Sequence, residues 1–257
     1  QSILLQLVII AFVAFAIVTL LHRLADRLFA RLIGQAQTMT VVRRVTLLVL
    51  HLLAEALVVA LALGAGYAVA LYTGENQRHV ELVESLFLNA FFFIQVAKVL
   101  TRFALSPEFA ALRLVPLDDE QALYWRRWLF TIYNVLGYGT MVVVPLIANN
   151  ISFLLADSVR MMIVLASVVI AISAIMRNRL ATRERILAYA ERQSNVVTTG
   201  LVDIVARTWH IVAIIYVLML LGVWLSRPFD AVTFMVRATV LSVLTVMVGT
   251  IVSLALT

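Results

Sequence analysis

Seven apolar stretches dominate this sequence, and each is long enough to cross a lipid bilayer as a helix. A spanning helix needs roughly 20 apolar residues, because hydrocarbon cannot hydrogen-bond an exposed backbone. The stretches lie near residues 3–21, 45–72, 80–100, 128–147, 159–176, 209–225 and 234–255. The sequence therefore predicts an all-α fold, a polytopic transmembrane bundle of about seven helices.

The composition excludes a water-soluble domain. Hydrophobic residues make up 63% of the 257 residues and charged residues only 13%, against about 45–50% and about 25% in soluble domains. The net charge is +6, but the basic residues cluster between the apolar stretches. We therefore expect membrane lipids, and not nucleic acid, as the acidic partner.

The distribution of basic residues predicts the orientation in the membrane. Of the 20 Lys and Arg residues, 16 lie in or beside three connectors near 22–44, 101–127 and 177–208. Short loops rich in Lys and Arg stay in the cytoplasm, so the N-terminus is expected outside and the C-terminus in the cytoplasm. The whole of 1–257 is interpreted as one transmembrane region, and we expect it to be an internal piece of a longer polypeptide.

Aromatic and basic residues gather at the predicted cytoplasmic ends of the spans. After the helix start at Pro116–Glu120, Leu117, Tyr124 and Trp128 repeat along one helical face. Such a helix favours the membrane interface, with its rings toward lipid and its cations toward phosphates; an ordinary connector is the alternative. The candidate lipid-contact residues are Trp125, Arg126, Arg127, Trp128 and Trp209.

The polar residues within the predicted spans that are candidates for a role inside the membrane are Glu55, Asn89, Gln95, Lys98 and Arg237. Glu55 is expected near mid-bilayer, where a carboxylate is costly and must be paired or protonated. It could relay protons or bind a coupling ion, or it could be a buried structural residue. Asn89, Gln95 and Lys98 are expected to form interhelical hydrogen bonds, and Arg237 could extend to the interface.

Motifs for enzymatic chemistry are absent. The sequence has no phosphate-binding loop, no nucleophile elbow and no HExxH zinc motif, so we expect no enzyme and no cofactor. With no cysteine and four scattered histidines, no two of which are four residues apart, a His-based metal site is not expected. The pairs Gly64/Gly66 and Gly137/Gly139 predict close helix approach or a bend, and Pro145 predicts a kink.

The segment Leu105–Leu129, LSPEFAALRLVPLDDEQALYWRRWL, resembles the connector that precedes the pore in larger MscS-like mechanosensitive channels. The Arg-rich loop before the last two spans is similar to that of the moderate-conductance type. The resemblance implies a channel of the bacterial inner membrane that opens under tension and releases ions and small solutes on hypo-osmotic shock. It also implies a homo-oligomeric ring, typically a heptamer.

The sequence departs from that family because it has no Gly/Ala-rich pore helix and no soluble domain after the last span. The resemblance therefore implies a peripheral, tension-sensing region, with the pore helix and soluble domain outside these residues. Two alternatives stay open from the sequence: a secondary transporter with Glu55 as its coupling carboxylate, and a membrane scaffold without a transport role.

Overall fold

The structure, a computed structural model, describes residues 2–34, 41–73, 82–105, 117–191 and 196–226. Every element in these ranges is a helix, which confirms the predicted all-α class. The elements are α1 (Ser2–Gly34), α2 (Val41–Thr73), α3 (Leu82–Leu105), α4 (Asp119–Tyr138), a π-helical turn (Gly139–Val143), α5 (Val144–Asn150), α6 (Phe153–Arg177), α7 (Arg179–Glu191) and α8 (Val196–Ser226).

Six segments of the described chain are long and apolar enough to cross a membrane. They are Leu5–Ala30, Val49–Tyr72, Leu82–Leu105, Asp119–Asn150, Phe153–Arg177 and Asp203–Ser226. They confirm the first six predicted spans, while the seventh, near 234–255, lies outside the described residues together with Arg237. Helix extends through much of the predicted connectors, since α1 continues to Gly34 and α7 lies within 177–208.

The described residues fall into two compact units, one up to Ile163 and one from Val164 to Ser226. In the first unit, α2 packs against both α1 and α3, and α3 packs against α4 and the π turn. In the second, α7 packs against α8. The core of the first unit is apolar and lies among α1, α2 and α3: Ile10, Ala14, Val18, Val58, Ala62, Ala70, Phe87, Leu88 and Phe91.

Large apolar side chains cover the outside of the helices. Phe12 is 73% exposed and Leu154 is 79% exposed, although both lie in candidate spans. In water this surface would drive association, whereas hydrocarbon solvates it without cost. The arrangement, with small residues such as Ala14 and Ala62 inside, is that of a bundle that faces lipid.

A π-helical turn interrupts the fourth spanning segment just before Pro145. The amide of Val144 bonds to the carbonyl of Gly139, five residues back rather than four. Proline has no N–H, and its ring clashes with the carbonyl four residues earlier in a regular helix. The wider turn relieves this conflict, so the disturbance predicted at Pro145 takes the form of a π turn.

Glycines let the helices of the first unit approach closely. A Cβ at Gly66 would lie 2.6 Å from Leu88 Cδ2, and one at Gly137 would lie 2.5 Å from Ile94 Cγ1. Gly64, in contrast, has no neighbouring atom within 4 Å of such a Cβ. The predicted close approach therefore holds for Gly66 and for Gly137, but not for Gly64.

Gly64 and Gly66, which both lie in α2, give a matched test of the packing. Gly66→Ala is expected to destabilise the protein by about 1–3 kcal/mol, because Leu88 is fully buried and has no room to move. Gly64→Ala is expected to be neutral or to stabilise by up to about 1 kcal/mol through helix propensity. Melting of the purified variants in detergent measures both, and equal melting temperatures would contradict the close contact of α2 and α3.

Candidate functional site

A buried ionic cluster joins α1, α2 and α3, and we call His22, Glu55 and Arg102 the triad. Glu55 is only 2% exposed. Its Oε2 accepts a hydrogen bond from Arg102 Nη1 at 2.9 Å, and its Oε1 lies 3.0 Å from His22 Nδ1. Arg102 Nη1 also lies 2.7 Å from His22 Nε2. The three side chains therefore form a closed ring of polar contacts.

The contacts fix the role of each atom in the triad. A guanidinium only donates, so Arg102 Nη1 uses its two hydrogens for Glu55 Oε2 and His22 Nε2. His22 Nε2 is then the acceptor, which assigns the ring proton to Nδ1, the atom that faces Glu55 Oε1. Because Arg102 carries the positive charge, the carboxylate of Glu55 is compensated inside the bundle.

The triad lies where the packed faces of the helices turn polar. On α1, Ile10, Ala14 and Val18 follow one another at four-residue steps. The next two steps of the same stripe are His22 and Asp26. A four-residue step keeps side chains on one face of a helix, so the stripe that packs against α2 continues into the triad.

Glu55 lies closer to one end of its spanning segment than predicted. It is six residues from the start of Val49–Tyr72, or about 9 Å at 1.5 Å per residue. Arg102 is likewise three residues from the end of Leu82–Leu105. Glu55 and Arg102 therefore each lie toward one end of their segment, and the depth of Glu55 in the bilayer stays a prediction.

Asp26 and His51 lie beside the triad and raise the question of a metal ion. Asp26, His51 and Glu55 each offer a ligand atom, and these atoms lie within 4.8 Å of one another. This donor set fits a divalent metal such as zinc. Arg102, however, already places a fixed cation 2.9 Å from Glu55, and it would repel a second one. The geometry therefore favours an ionic network over a metal centre.

Two cations of α3 connect the triad to α4. Lys98 Nζ and Arg102 Cζ each lie 5.6 Å from the centre of the Phe130 ring, within the range of cation–π attraction. One turn after Phe130 on α4, the hydroxyl group of Tyr133 lies 3.1 Å from that of Thr101 on α3. The polar end of α3 is thereby held against the first half of α4.

The predicted lipid-contact residues of the connector lie in the first turns of α4. This helix begins at Asp119, as the sequence indicates, but continues into the fourth span without a break. The helix start is thus confirmed, and the interfacial position of this segment stays a prediction. At 32 residues, Asp119–Asn150 is about 48 Å long and exceeds the roughly 30 Å hydrocarbon layer, so the segment has length to spare for the headgroup region.

The aromatic rings of this segment form a compact group. The Tyr124 ring lies 5.6 Å from that of Trp125 and 6.1 Å from that of Trp128, measured between centroids. Trp125, Arg126 and Trp128 are half-buried, and Arg127 is exposed. Trp209 belongs to the second unit, where its Nε1 donates to the carbonyl of Arg179 at 3.4 Å.

The polar residues of α3 separate into two kinds. Gln95 and Lys98 are buried, at 2% and 8% exposure, whereas Asn89 is exposed on the surface of its unit. The sequence reading missed four residues around Glu55: His22, Asp26, His51 and Arg102. The signal that could have found them is the four-residue spacing of His22 with Asp26 and of His51 with Glu55.

Removing one member of the triad is expected to cost far more than breaking a surface pair. Arg102→Gln leaves Glu55 buried without its cation and should destabilise the protein by about 3–5 kcal/mol. The double variant Glu55→Gln/Arg102→Gln should recover most of this loss. The control is Arg160→Gln, which breaks a pair of 3.3 Å to the exposed Asp157 and should cost less than about 1 kcal/mol.

Thermal melting in detergent ranks the four proteins. Equal losses for Arg102→Gln and Arg160→Gln, or a double variant no more stable than Arg102→Gln, would contradict the triad as the source of the stability.

Comparison with known proteins identifies a relative of this chain. Neither a family model nor a solved structure matches the chain. Over 199 residues, or 77% of its length, the chain is 31% identical to the moderate conductance mechanosensitive channel YbiO of Escherichia coli strain K12. The aligned part covers 27% of that relative, so the chain spans about a quarter of its length. The chain is thus a partial match to the MscS-like family of mechanosensitive channels, which confirms the predicted family.

Proposed function

We propose that this chain is the membrane-tension-sensing region of a mechanosensitive ion channel, which releases ions and small solutes on hypo-osmotic shock. The observation that carries the proposal is the 31% identity over 199 residues to a mechanosensitive channel. Further parts of the proposal are a location in the bacterial inner membrane, a homo-oligomeric ring of seven subunits, and a cytoplasmic C-terminus.

The outer surface of the helices supports a sensing role. Membrane tension does work only through a change of in-plane area, so a sensor needs extensive contact with lipid. Exposed apolar side chains are abundant along α1, α6 and α8, with Phe12, Leu154 and Met219 each more than 60% exposed. Tryptophan and arginine at the ends of such helices hold them at the headgroup level.

The contacts of α3 and α4 support a path for force from lipid to the bundle. The segment Trp125–Trp128 directly precedes Phe130 on α4. The ring of Phe130 makes cation–π contacts with Lys98 and Arg102 of α3. Arg102 in turn holds Glu55 and His22. A displacement of the first turns of α4 is therefore passed directly to the three packed helices, because every link is a short-range contact between rigid elements.

The transporter alternative rests on Glu55 as a coupling carboxylate. A carboxylate of that kind must exchange its proton or ion with a pathway, whereas Glu55 is 2% exposed and compensated by Arg102. The similarity to a mechanosensitive channel also favours a channel over a transporter. Glu55→Gln would abolish substrate-coupled proton uptake in proteoliposomes if the alternative held, and the channel proposal expects only a modest change in gating.

Replacing Trp125, Arg126, Arg127 and Trp128 with Ala is expected to raise the tension needed for opening. These residues couple α4 to the headgroups, and each basic residue near an anionic surface contributes about 1 kcal/mol. Patch-clamp recording of the full-length protein under suction measures the threshold. Leu123→Ala, which removes an exposed apolar residue of the same helix, is the matched control and should leave the threshold unchanged. An unaltered threshold in the quadruple variant would refute this site.

The proposed orientation can be tested by cysteine labelling, since the chain has no native cysteine. A cysteine at the exposed Glu184 of α7 should react with an impermeant maleimide only after the membrane is opened. A cysteine at the exposed Ser152, between α5 and α6, should react in intact cells. Labelling of Glu184→Cys in intact cells would show that α7 lies outside, and it would contradict the proposed orientation.

A further inference from the structure

A basic concavity lies between α7 and α8 in the second unit. It measures about 170 Å³ and has six lining residues: Arg179, Leu180, Arg183, Ala206, Arg207 and His210. Arg179 and Arg183 are four residues apart on α7, while Arg207 and His210 are three residues apart on α8. Each pair therefore shares one face of its helix, and the two faces meet at the concavity.

The positive charge of this concavity exceeds the acidic groups that face it. Arg207 is paired with Asp203, through Nη2 at 2.7 Å and Nε at 3.0 Å. Arg183 is different, because its Nε is buried and has no hydrogen-bond partner among the described residues. A buried donor without an acceptor is costly, so the site is incomplete without an added acceptor.

The frame around the concavity is fixed by the fold. Ala206 is 1% exposed, and its small side chain lets α7 and α8 approach closely. The indole of Trp209 donates to the carbonyl of Arg179, the first residue of α7. These contacts hold the guanidinium groups of both helices at the same level before any ligand arrives.

We propose that this concavity binds a phosphate group, with the headgroup of a membrane phospholipid as its source. Guanidinium groups bind phosphate oxygens through paired, charge-assisted hydrogen bonds, and Arg183 Nε lacks an acceptor of this kind. Arg207 and His210 lie four and seven residues after the start of the apolar segment Asp203–Ser226. This position is the headgroup level of a spanning helix, where lipid phosphates are concentrated. The inference does not depend on tension sensing.

Lipid retention by the full-length protein tests the proposal. The purified protein is titrated with phosphatidic acid or with diacylglycerol of the same acyl chains, and bound lipid is counted by native mass spectrometry. Phosphatidic acid should be retained and diacylglycerol should not. Arg183→Gln should weaken retention of phosphatidic acid about tenfold, as expected for loss of a hydrogen bond to a charged group.

The matched control is Arg177→Gln, since Arg177 is a nearby arginine of the same unit that does not line the concavity. It should retain phosphatidic acid like the unchanged protein. Equal retention of the two lipids by the unchanged protein, or equal loss in both variants, would overturn the proposal. The first comparison needs no variant, so it remains decisive even where Arg183→Gln does not fold.

Competition with glycerol 3-phosphate separates a membrane source from a soluble one. The lipid should remain bound at concentrations of glycerol 3-phosphate well above its own. Displacement at equal concentration would overturn the lipid source and assign the site to a soluble phosphate compound. If phosphatidic acid is not retained but the quadruple α4 variant changes the gating threshold as expected, only the phosphate site is refuted. If the threshold is unaltered but phosphatidic acid is retained as expected, only the proposed tension-sensing site is refuted.

Discussion

Compensation of one buried carboxylate sets the arrangement of the first three helices. Glu55 is nearly inaccessible inside the bundle, and an isolated ion there would be far too costly to bury. Arg102 and His22 come from two different helices, so the carboxylate is stable only when α1 and α3 both lie against α2. Apolar packing alone would leave the helices free to slide by a turn, whereas the triad accepts one register. Buried polar groups are known to fix the register in this way in some helical assemblies.

In a lipid environment, large apolar side chains need not be buried inside the bundle. Large apolar residues point outward, as in α6 and α8, since hydrocarbon solvates them as well as a protein interior does. The inward faces combine large residues such as Leu88 and Phe91 with small ones. Gly66 and Gly137 allow backbone and side chain to meet at distances that a Cβ would prevent. Association then depends on close packing and on polar contacts such as those of Lys98 and Arg102 with Phe130.

The sequence predicts the helices well and their mutual positions poorly. Spans are readable because backbone hydrogen bonding in lipid forces long apolar helices, and six of them are found. The partners of Glu55 were not predicted, since they lie 33 and 47 residues away in the chain and depend on which faces meet. Arg102 was counted as a connector charge because its exposure cannot be read from hydropathy. The continuous α4 was also missed, because polar residues at its start resemble those of a loop.

Helical physics alone leads to a membrane bundle and stops short of a function, because channels, transporters and scaffolds present the same apolar faces to lipid. The state of Glu55 narrows the choice. A coupling carboxylate works by losing and regaining its ion, so its environment must leave the charge partly unsatisfied and reachable. Here Arg102 donates to one oxygen and His22 faces the other, an arrangement that stabilises the carboxylate and cross-links helices. The relationship to a mechanosensitive channel and the chemistry of the triad therefore both count against Glu55 as the coupling carboxylate of a transporter.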